Sequence, residues 1–386
     1  MHNILWLSSW YPNKYDGYCG DFIQRHAIAV APYCNLTVMV IQLVPHNWQK
    51  PLVAKELLIN NGFNEQIVYL KLSNLPSPFN KMVDQWNYMR VFKQMVAEYL
   101  TDNLPNLVHV QVPVKAGIIG LWLKKKLSIP MAVTEHWAIY NDFAIDKFKD
   151  RSLWFKNLVK RVIKRADVFM PVSKNLGDSI NQLVVEKPFM VVNNVVNTAL
   201  FYFNPTNNSP LFWFIHVSML NYSKNPKGIL KAFSEARKKN KSVRLKMIGV
   251  ATKELITYSD ELGIRESVVF TGVLPQEEVA MLLQESDAFV LFSFYENMPC
   301  VIAEALCCGL PIISSDVGGI AESIDANNGI LIDSNDIDQL TLQMLAMVNN
   351  YNKYDRQKIA KAATERFNYS SIGKQITTIY EEILIK

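Results

Sequence analysis

Residues 293–319 read SFYENMPCVIAEALCCGLPIISSDVGG, and this is the most informative stretch of the chain. The apolar run Asp287–Phe292 before it predicts a buried strand that ends in a short polar loop. Pro299–Cys308 then predicts a helix, because a proline in the first helical turn loses no hydrogen bond. Glu296 therefore lies on the loop and Glu304 on the helix, so that two acids flank one helix N-terminus.

The helix N-terminus and the two acids suggest a particular kind of ligand. Free N–H groups and a partial positive charge at a helix N-terminus favour an anion such as phosphate. A carboxylate accepts hydrogen bonds from hydroxyl groups, which a sugar or a ribose would offer. A bare pair of glutamates eight residues apart is usually two ordinary surface residues. Here the pair belongs to a longer pattern that includes Pro299, a Gly-Leu-Pro step and a Val-Gly-Gly step.

Short apolar strands alternate with longer amphipathic helices along the chain, which is typical of parallel α/β sheets. The alternation restarts at Leu211–Val217, and 386 residues are long for one domain, so we expect two. We also expect a strand at Met190–Val192, a polar linker at Asn204–Pro210, and two helices with no strand between them in Asp355–Lys386. Two such sheets form a cleft at the carboxyl ends of their strands, where ligands bind.

Composition argues against several classes of protein. Hydrophobic residues make up 49% of the chain and charged residues 19%, which argues against disorder. No apolar stretch approaches the roughly 20 residues of a membrane span, and the N-terminal segment lacks the pattern of a signal peptide. Five scattered cysteines show no metal-ligand spacing and fit a reducing cytoplasm. The glycine pattern of a nicotinamide enzyme and the basic aromatic motifs of nucleic-acid binding are both absent.

Positive charge is concentrated in the first half of the chain. Residues 1–195 carry 22 Lys and Arg against 14 Asp and Glu, whereas residues 196–386 carry 18 against 21. This asymmetry indicates either an anionic partner or chance variation between two solvated domains. Residues 147–165 hold eight basic residues and one acid, interleaved with apolar residues at helical spacing. Such a helix either lies on an anionic bilayer or packs on its sheet with a solvated basic face.

Residues 293–319 resemble the Glu-x7-Glu signature of the retaining, nucleotide-sugar-dependent glycosyltransferases of family 4, also called glycosyl transferases group 1. The resemblance extends over nearly the whole chain. It implies the GT-B architecture, an α/β fold of two Rossmann-like domains that face a cleft. We place the N-terminal, acceptor-side domain at 1–197 and the C-terminal domain, which binds the nucleotide sugar, at 198–369. A C-terminal helix at 370–386 is expected to pack back on the first domain.

The resemblance also implies roles for single residues. His136 would hydrogen-bond the transferred sugar or the donor phosphate, Lys224 would neutralise the diphosphate, and Glu296 would lie against the sugar. These three are the catalytic candidates, and Glu304 would bind the ribose hydroxyls. The expected donor-binding residues are Gly20, Met219, Lys224, Gly249, Val273, Asn297, Met298, Pro299, Cys300 and Glu304.

Several positions depart from the family pattern or have another interpretation. Met219 stands where the family has an arginine, so either the phosphate site is weaker or another cation such as Lys227 substitutes. On a helix face Lys227 is otherwise a solvated side chain, and Asn297 replaces the commoner glycine. Ser173 is expected to cap the next helix, and Asp336 to cap a late helix rather than to bind a metal.

We therefore expect an enzyme, a glycosyltransferase of the hexosyl or N-acetylhexosaminyl type. It would move a sugar from a UDP- or GDP-linked donor to a glycan or lipid-linked acceptor, with retention of the anomeric configuration. The resemblance implies a metal-independent reaction in cell-surface polysaccharide assembly, in the cytoplasm and peripherally on the inner face of the plasma membrane. Two alternatives are a nucleotide-sugar epimerase or hydrolase of the same fold, and a catalytically inactive nucleotide-sugar-binding subunit, which the missing arginine favours.

Overall fold

The computed structural model describes residues 1–49, 51–60, 62–205 and 209–385. Two largely parallel sheets, each with helices packed against it, form two α/β domains and confirm the predicted fold class. Part of the predicted linker Asn204–Pro210, namely residues 206–208, lies outside the described residues.

The first sheet has seven strands in the order β3-β4-β2-β1-β5-β6-β7. Neighbouring strands are parallel except for β3 and β4, which form an antiparallel hairpin at one edge. The strands are β1 (Asn3–Ser8), β2 (Asn35–Val44), β3 (Val53–Asn60), β4 (Phe63–Lys71), β5 (Leu107–Gln111), β6 (Met131–Glu135) and β7 (Val168–Pro171). The helices between them are α1 (Asp21–Val30), α2 (Phe79–Asp102), α3 (Lys115–Leu127) and α4 (Leu153–Arg165), and α5 (Lys174–Leu183) follows β7.

The second sheet has six strands in the order β10-β9-β8-β11-β12-β13, all parallel. The strands are β8 (Phe212–Val217), β9 (Val243–Ile248), β10 (Val268–Gly272), β11 (Ala288–Leu291), β12 (Ile312–Ser315) and β13 (Gly329–Ile332). The helices are α6 (Pro226–Lys239), α7 (Lys253–Glu261), α8 (Gln276–Gln284), α9 (Cys300–Cys307), α10 (Ile337–Asn349), α11 (Arg356–Phe367) and α12 (Tyr369–Leu384). Every residue of β11 and β12 is buried, as expected for central strands covered on both faces.

The last helix, α12, packs on the first domain, against α1. Ile372, Ile376 and Ile379 share an apolar core with β1 and β2. Trp6 Nε1 donates a hydrogen bond to the hydroxyl of Tyr380 at 3.0 Å inside this core. The chain thus builds the second domain and then returns to complete the core of the first.

Helix α4 packs its apolar side inward, with Phe155, Val159, Val162 and Ile163 buried at helical spacing. This arrangement matches the alternative of a helix that rests on its sheet and turns a basic face to solvent. The helix begins only at Leu153, so the basic residues before it belong to the preceding loop and short 3₁₀ turn. In the part of the chain that the structure describes, no helix is both long enough and apolar enough to span a bilayer.

The structure departs from the sequence-based expectations at two places. The β3–β4 hairpin was not predicted, and Met190–Val192 is not a strand. The residue before this segment, Phe189, forms an isolated β-bridge with Phe169 of β7. The expected capping role of Ser173 is confirmed, since its Oγ accepts a hydrogen bond from Leu176 N at 3.1 Å.

Candidate active site at the facing strand ends

Glu296 lies in the loop between β11 and α9 and is buried, with 7% of its surface exposed. Its Oε1 accepts a hydrogen bond from Ser293 Oγ at 2.7 Å and forms an ion pair with Lys224 Nζ. Lys224 belongs to the short 3₁₀ turn that precedes α6. Two partners on one oxygen fix the carboxylate and hold the lysine beside it.

The loop Asn297–Pro299 leads into α9 and is held by two hydrogen bonds to its carbonyl oxygens. Asn194 Nδ2 donates to Met298 O at 2.7 Å, and Gly319 N donates to Asn297 O at 2.7 Å. These bonds fix the entry into α9, whose first amide groups form the anion-binding end of the helix.

His136 directly follows β6 and brings the first domain to this loop. Asn297 Nδ2 donates to the carbonyl oxygen of His136 at 2.8 Å, which joins the strand ends of the two domains. The Nε2 of His136 lies 3.1 Å from Gln111 Oε1, an acceptor, so Nε2 carries the proton. Burial lowers the pKa of His136 well below its ordinary value, and nearby His26 and His109 add to this effect. The ring is therefore neutral.

The surroundings of the other ring nitrogen of His136 differ from those of Nε2. Its Nδ1 is buried and has no hydrogen-bond partner among the described residues. A neutral ring protonated on Nε2 carries a lone pair on Nδ1, and a buried acceptor without a partner is costly. A hydroxyl group of a bound ligand would satisfy it.

Glu135 shapes the loop that carries His136, although it is not among the site residues expected from the sequence. Its carboxylate accepts the N–H groups of His136 at 2.8 Å and Trp137 at 2.9 Å, and the hydroxyl of Tyr140 at 2.8 Å. Burial raises the pKa of Glu135 to about 7, although these hydrogen bonds act in the opposite direction. This buried acid fixes the backbone from which the imidazole projects.

Glu304 lies inside α9 and forms an ion pair with a residue of the first domain. Its Oε1 lies 2.6 Å from Nη1 of Arg25 on α1, and the other amino group of Arg25 lies 2.6 Å from Asp21 Oδ2. Burial alone would lower the pKa of Arg25, but the charge and hydrogen bond of Glu304 together with the neighbouring Cys300 and Asp21 outweigh it, and the pKa stands above its ordinary value. Arg25 is not among the site residues expected from the sequence. Its place just after the expected glycine loop, five residues beyond Gly20, was the available signal.

Two of the expected glycines are required by close backbone contacts. Gly20 has a φ of +66°, and a Cβ there would lie 2.8 Å from the carbonyl carbon of Trp10. Gly249 follows β9 with a φ of +137°, and a Cβ there would lie 1.8 Å from the carbonyl oxygen of Ser218. Only glycine fits either position, since it lacks the side chain that would clash.

Met219 and Val273, both expected at the donor site, are 62% and 50% exposed and lie on the loops after β8 and β10. Neither supplies a charge. Lys227, the candidate substitute for the missing arginine, is not brought to the buried acids. Its Nζ pairs instead with Glu254 on α7, and both side chains are largely exposed.

The structure also bears on metal binding. Among the described residues, no group of three or more His, Cys, Asp or Glu side chains is placed to hold a metal ion. Asp336 caps α10, since its Oδ1 accepts a hydrogen bond from Gln339 N at 2.8 Å, as predicted.

Two Rossmann-like domains with facing strand ends define the GT-B glycosyltransferases, and solved structures of this class match the chain over its full length. Sucrose-phosphate synthase from Thermosynechococcus elongatus has a TM-score of 0.79 at 16% identity, covering 100% of both chains. Anabaena HepE, solved in complex with UDP-glucose, has a TM-score of 0.72 at 18% identity, covering 99% of this chain and 100% of that chain.

Two family models match consecutive parts of the sequence. The model for Glycosyltransferase Family 4 covers residues 57–200, and the model for Glycosyl transferases group 1 covers residues 203–366. The chain therefore belongs to glycosyltransferase family 4, and the resemblance drawn from residues 293–319 is confirmed.

Curated relatives are distant in sequence. Alpha-monoglucosyldiacylglycerol synthase of Streptococcus pneumoniae is 22% identical over 339 residues, which are 82% of this chain and 75% of the relative. N-acetyl-alpha-D-glucosaminyl L-malate synthase of Bacillus anthracis is 25% identical over 244 residues, which are 59% of this chain and 63% of the relative.

Proposed function

We propose that the chain moves a hexosyl or N-acetylhexosaminyl group from a UDP- or GDP-linked sugar to an acceptor, with retention of the anomeric configuration. One observation carries the proposal: neutral His136, the Lys224–Glu296 ion pair, the N-terminus of α9 and Glu304 meet where the strand ends of the two domains face each other. The complex of HepE with UDP-glucose supports a nucleotide-sugar donor.

Each part of such a donor has a complementary group in this cleft. The diphosphate would bind at the N-terminus of α9 and to Lys224, because both favour an anion. The sugar would lie between Glu296 and the unpaired Nδ1 of His136, which can accept a hydroxyl hydrogen. The carboxylate of Glu304 would accept hydrogen bonds from the ribose hydroxyls.

In the proposed reaction the bond between the anomeric carbon and the phosphate oxygen breaks, and the acceptor oxygen attacks from the same face. The leaving phosphate takes the proton of the acceptor hydroxyl, so that no carboxylate acts as nucleophile. Negative charge grows on the leaving diphosphate as the bond breaks, and Lys224 and the α9 amides stabilise it there. Because these groups supply the electrostatic stabilisation, the reaction is proposed to need no metal ion.

For the acceptor we propose a glycan or a lipid-linked acceptor, reached from the inner face of the plasma membrane during cell-surface polysaccharide assembly. Phe143, Ile145, Leu153 and Trp154 are exposed at and just before the start of α4. Leu153 and Trp154 lie among the basic residues of 147–165, and Phe143 and Ile145 come just before that segment in the sequence. Apolar side chains next to Lys and Arg are the combination that binds anionic bilayers. One relative, alpha-monoglucosyldiacylglycerol synthase, has a lipid in its name.

The proposal is tested by following free nucleotide and free sugar from UDP-glucose, UDP-N-acetylglucosamine and GDP-mannose, with and without lipid or glycan acceptors. A thermal-shift screen of UDP and GDP selects the nucleotide first, because a ligand at 100 times its Kd stabilises the folded state by about 2.7 kcal/mol. Nucleotide release that depends on acceptor supports a transferase. Equal release without acceptor indicates a hydrolase, an altered sugar without release indicates an epimerase, and binding without turnover indicates an inactive subunit.

A further inference from the structure

We propose that Arg25 is a positioning residue for nucleotide binding: it reaches from the first domain and holds Glu304 in the orientation that binds the ribose. Nucleotide affinity would then depend on both domains, although the nucleotide lies on the second. The inference rests on the proposed function, because it takes the ligand of Glu304 to be a ribose.

The geometry around the guanidinium supports positioning rather than phosphate binding. Arg25 Nη1 lies 2.6 Å from Glu304 Oε1, and Nη2 lies 2.6 Å from Asp21 Oδ2. Both amino groups are thus engaged by carboxylates, and the guanidinium does not replace the arginine that is missing at Met219. Its planar shape fixes the angle of each carboxylate that it binds.

Glu304 needs such a partner because it is 5% exposed on a helix whose residues 302–307 are all buried. A buried carboxylate without a partner is strongly disfavoured, whereas one held through a single oxygen keeps most of its acceptor sites. With Oε1 bound to Arg25, Oε2 and the remaining lone pair of Oε1 are available to the two ribose hydroxyls.

Arg25 is itself held on a rigid element. It lies on α1, which packs against α12, and Asp21 one turn earlier binds its second amino group. A side chain on a packed helix holds its partner more accurately than one on a loop. The arrangement therefore fits a fixed support for Glu304.

The test compares the wild-type chain with Arg25→Met, which keeps the length of the side chain without its charge, and with Arg25→Lys. Arg366→Met is the matched control, since Arg366 also joins the two domains, through Asn193 Oδ1 and the carbonyl oxygen of Glu322, but does not contact Glu304. Isothermal titration calorimetry measures the affinity for UDP, for GDP and for their 2′,3′-dideoxy analogues. Circular dichroism confirms that each variant is folded.

We expect Arg25→Met to weaken binding of the preferred nucleotide by about tenfold to a hundredfold, as for the loss of one hydrogen bond to a charged group. In this variant the dideoxy analogue should bind almost as tightly as the parent nucleotide, because the ribose contact is already lost. The nucleotide affinity of Arg25→Lys should lie between those of the wild type and Arg25→Met, and the affinity of Arg366→Met should equal that of the wild type.

Four results would overturn the inference. Unchanged or tighter nucleotide binding by Arg25→Met would show that the ion pair is dispensable or competes with the ribose. Weaker binding with full discrimination against the dideoxy analogue would show a purely structural role. If Arg25→Met does not fold, Arg25→Lys becomes the deciding variant. Wild-type nucleotide affinity in Arg25→Lys, together with wild-type discrimination against the dideoxy analogue, would decide against positioning. A wild-type chain that binds neither UDP nor GDP contradicts the proposed function itself, and the inference falls with it.

Discussion

Replacing Lys224 by methionine should lower kcat and not only raise KM. The ammonium group lies beside Glu296 in the cleft, with the two side chains 22% and 9% exposed, and Lys227 is directed elsewhere. Its charge matters more in the transition state than in the bound donor, because negative charge on the diphosphate grows as the sugar bond breaks.

The size of the effect follows from this partly buried location. Two unit charges about 4 Å apart interact by about 4 kcal/mol at an effective dielectric constant of 20. Loss of one preorganised donor typically costs about 10²–10³ in kcat, or about 2.7–4 kcal/mol, which is of the same order. Lys224→Met also leaves Glu296 with Ser293 as its remaining partner, which we expect to lower the free energy of unfolding by about 1–3 kcal/mol.

The assay is the steady-state release of nucleotide from the donor that the wild type uses, with kcat and KM determined separately. Lys227→Met is the matched control, since it removes a lysine three residues away whose partner is the exposed Glu254. We expect its kcat to equal that of the wild type. A folded Lys224→Met enzyme with near-normal kcat would remove this lysine from the reaction. Loss of kcat in Lys227→Met alone would transfer the role to that residue.

Three further predictions concern the remaining groups of the site. Glu304→Gln should weaken the binding of UDP and of the donor alike, whereas Glu296→Gln should leave UDP binding unchanged and lower kcat. Equal losses of UDP affinity in the two variants would contradict the two roles. Activity should survive EDTA, and its loss in chelator with recovery in Mn²⁺ or Mg²⁺ would refute the metal-independent reaction. Because burial raises the pKa of Glu135 to about 7, the protonated acid stabilises the fold below its unfolded pKa, and this contribution is lost as pH rises through about 7. Urea titrations of the wild type and of Glu135→Gln measure this effect. Relative to the variant, the wild type should lose up to about 3 kcal/mol of unfolding free energy between pH 4 and pH 8. A difference in unfolding free energy between the two proteins that does not change with pH would show that Glu135 does not titrate in this range.

Features that depend on neighbouring residues were predictable from the sequence. The strand before residue 293, the helix after Pro299 and the caps at Ser173 and Asp336 follow from hydrophobic runs, proline and side-chain acceptors close in the chain. The β3–β4 hairpin was also within reach, because an Asn-Gly pair at 61–62 lies between its strands and is typical of tight hairpins.

Features that depend on distant residues were not predictable in this way. The Arg25–Glu304 pair joins residues 279 positions apart on different domains, and no local pattern links them. At Met190–Val192 the error is the opposite one, because a strand was predicted there and none forms. Its backbone does bond to β7, from Met190 N to Phe169 O at 3.0 Å and from Val192 N to Pro171 O at 3.1 Å, but β7 ends there and no regular ladder forms.

Helix α12 determines the order in which the chain can fold during its synthesis. A ribosome makes β1 first and α12 only after every strand of the second sheet, yet Ile372 and Tyr380 belong to the same core as Trp6. In the usual sequence an N-terminal domain folds before the next one emerges, but here the first domain cannot complete its core that early. Helix α1 covers part of this face of the first sheet, and the part that α12 covers stays exposed until the second domain has been translated.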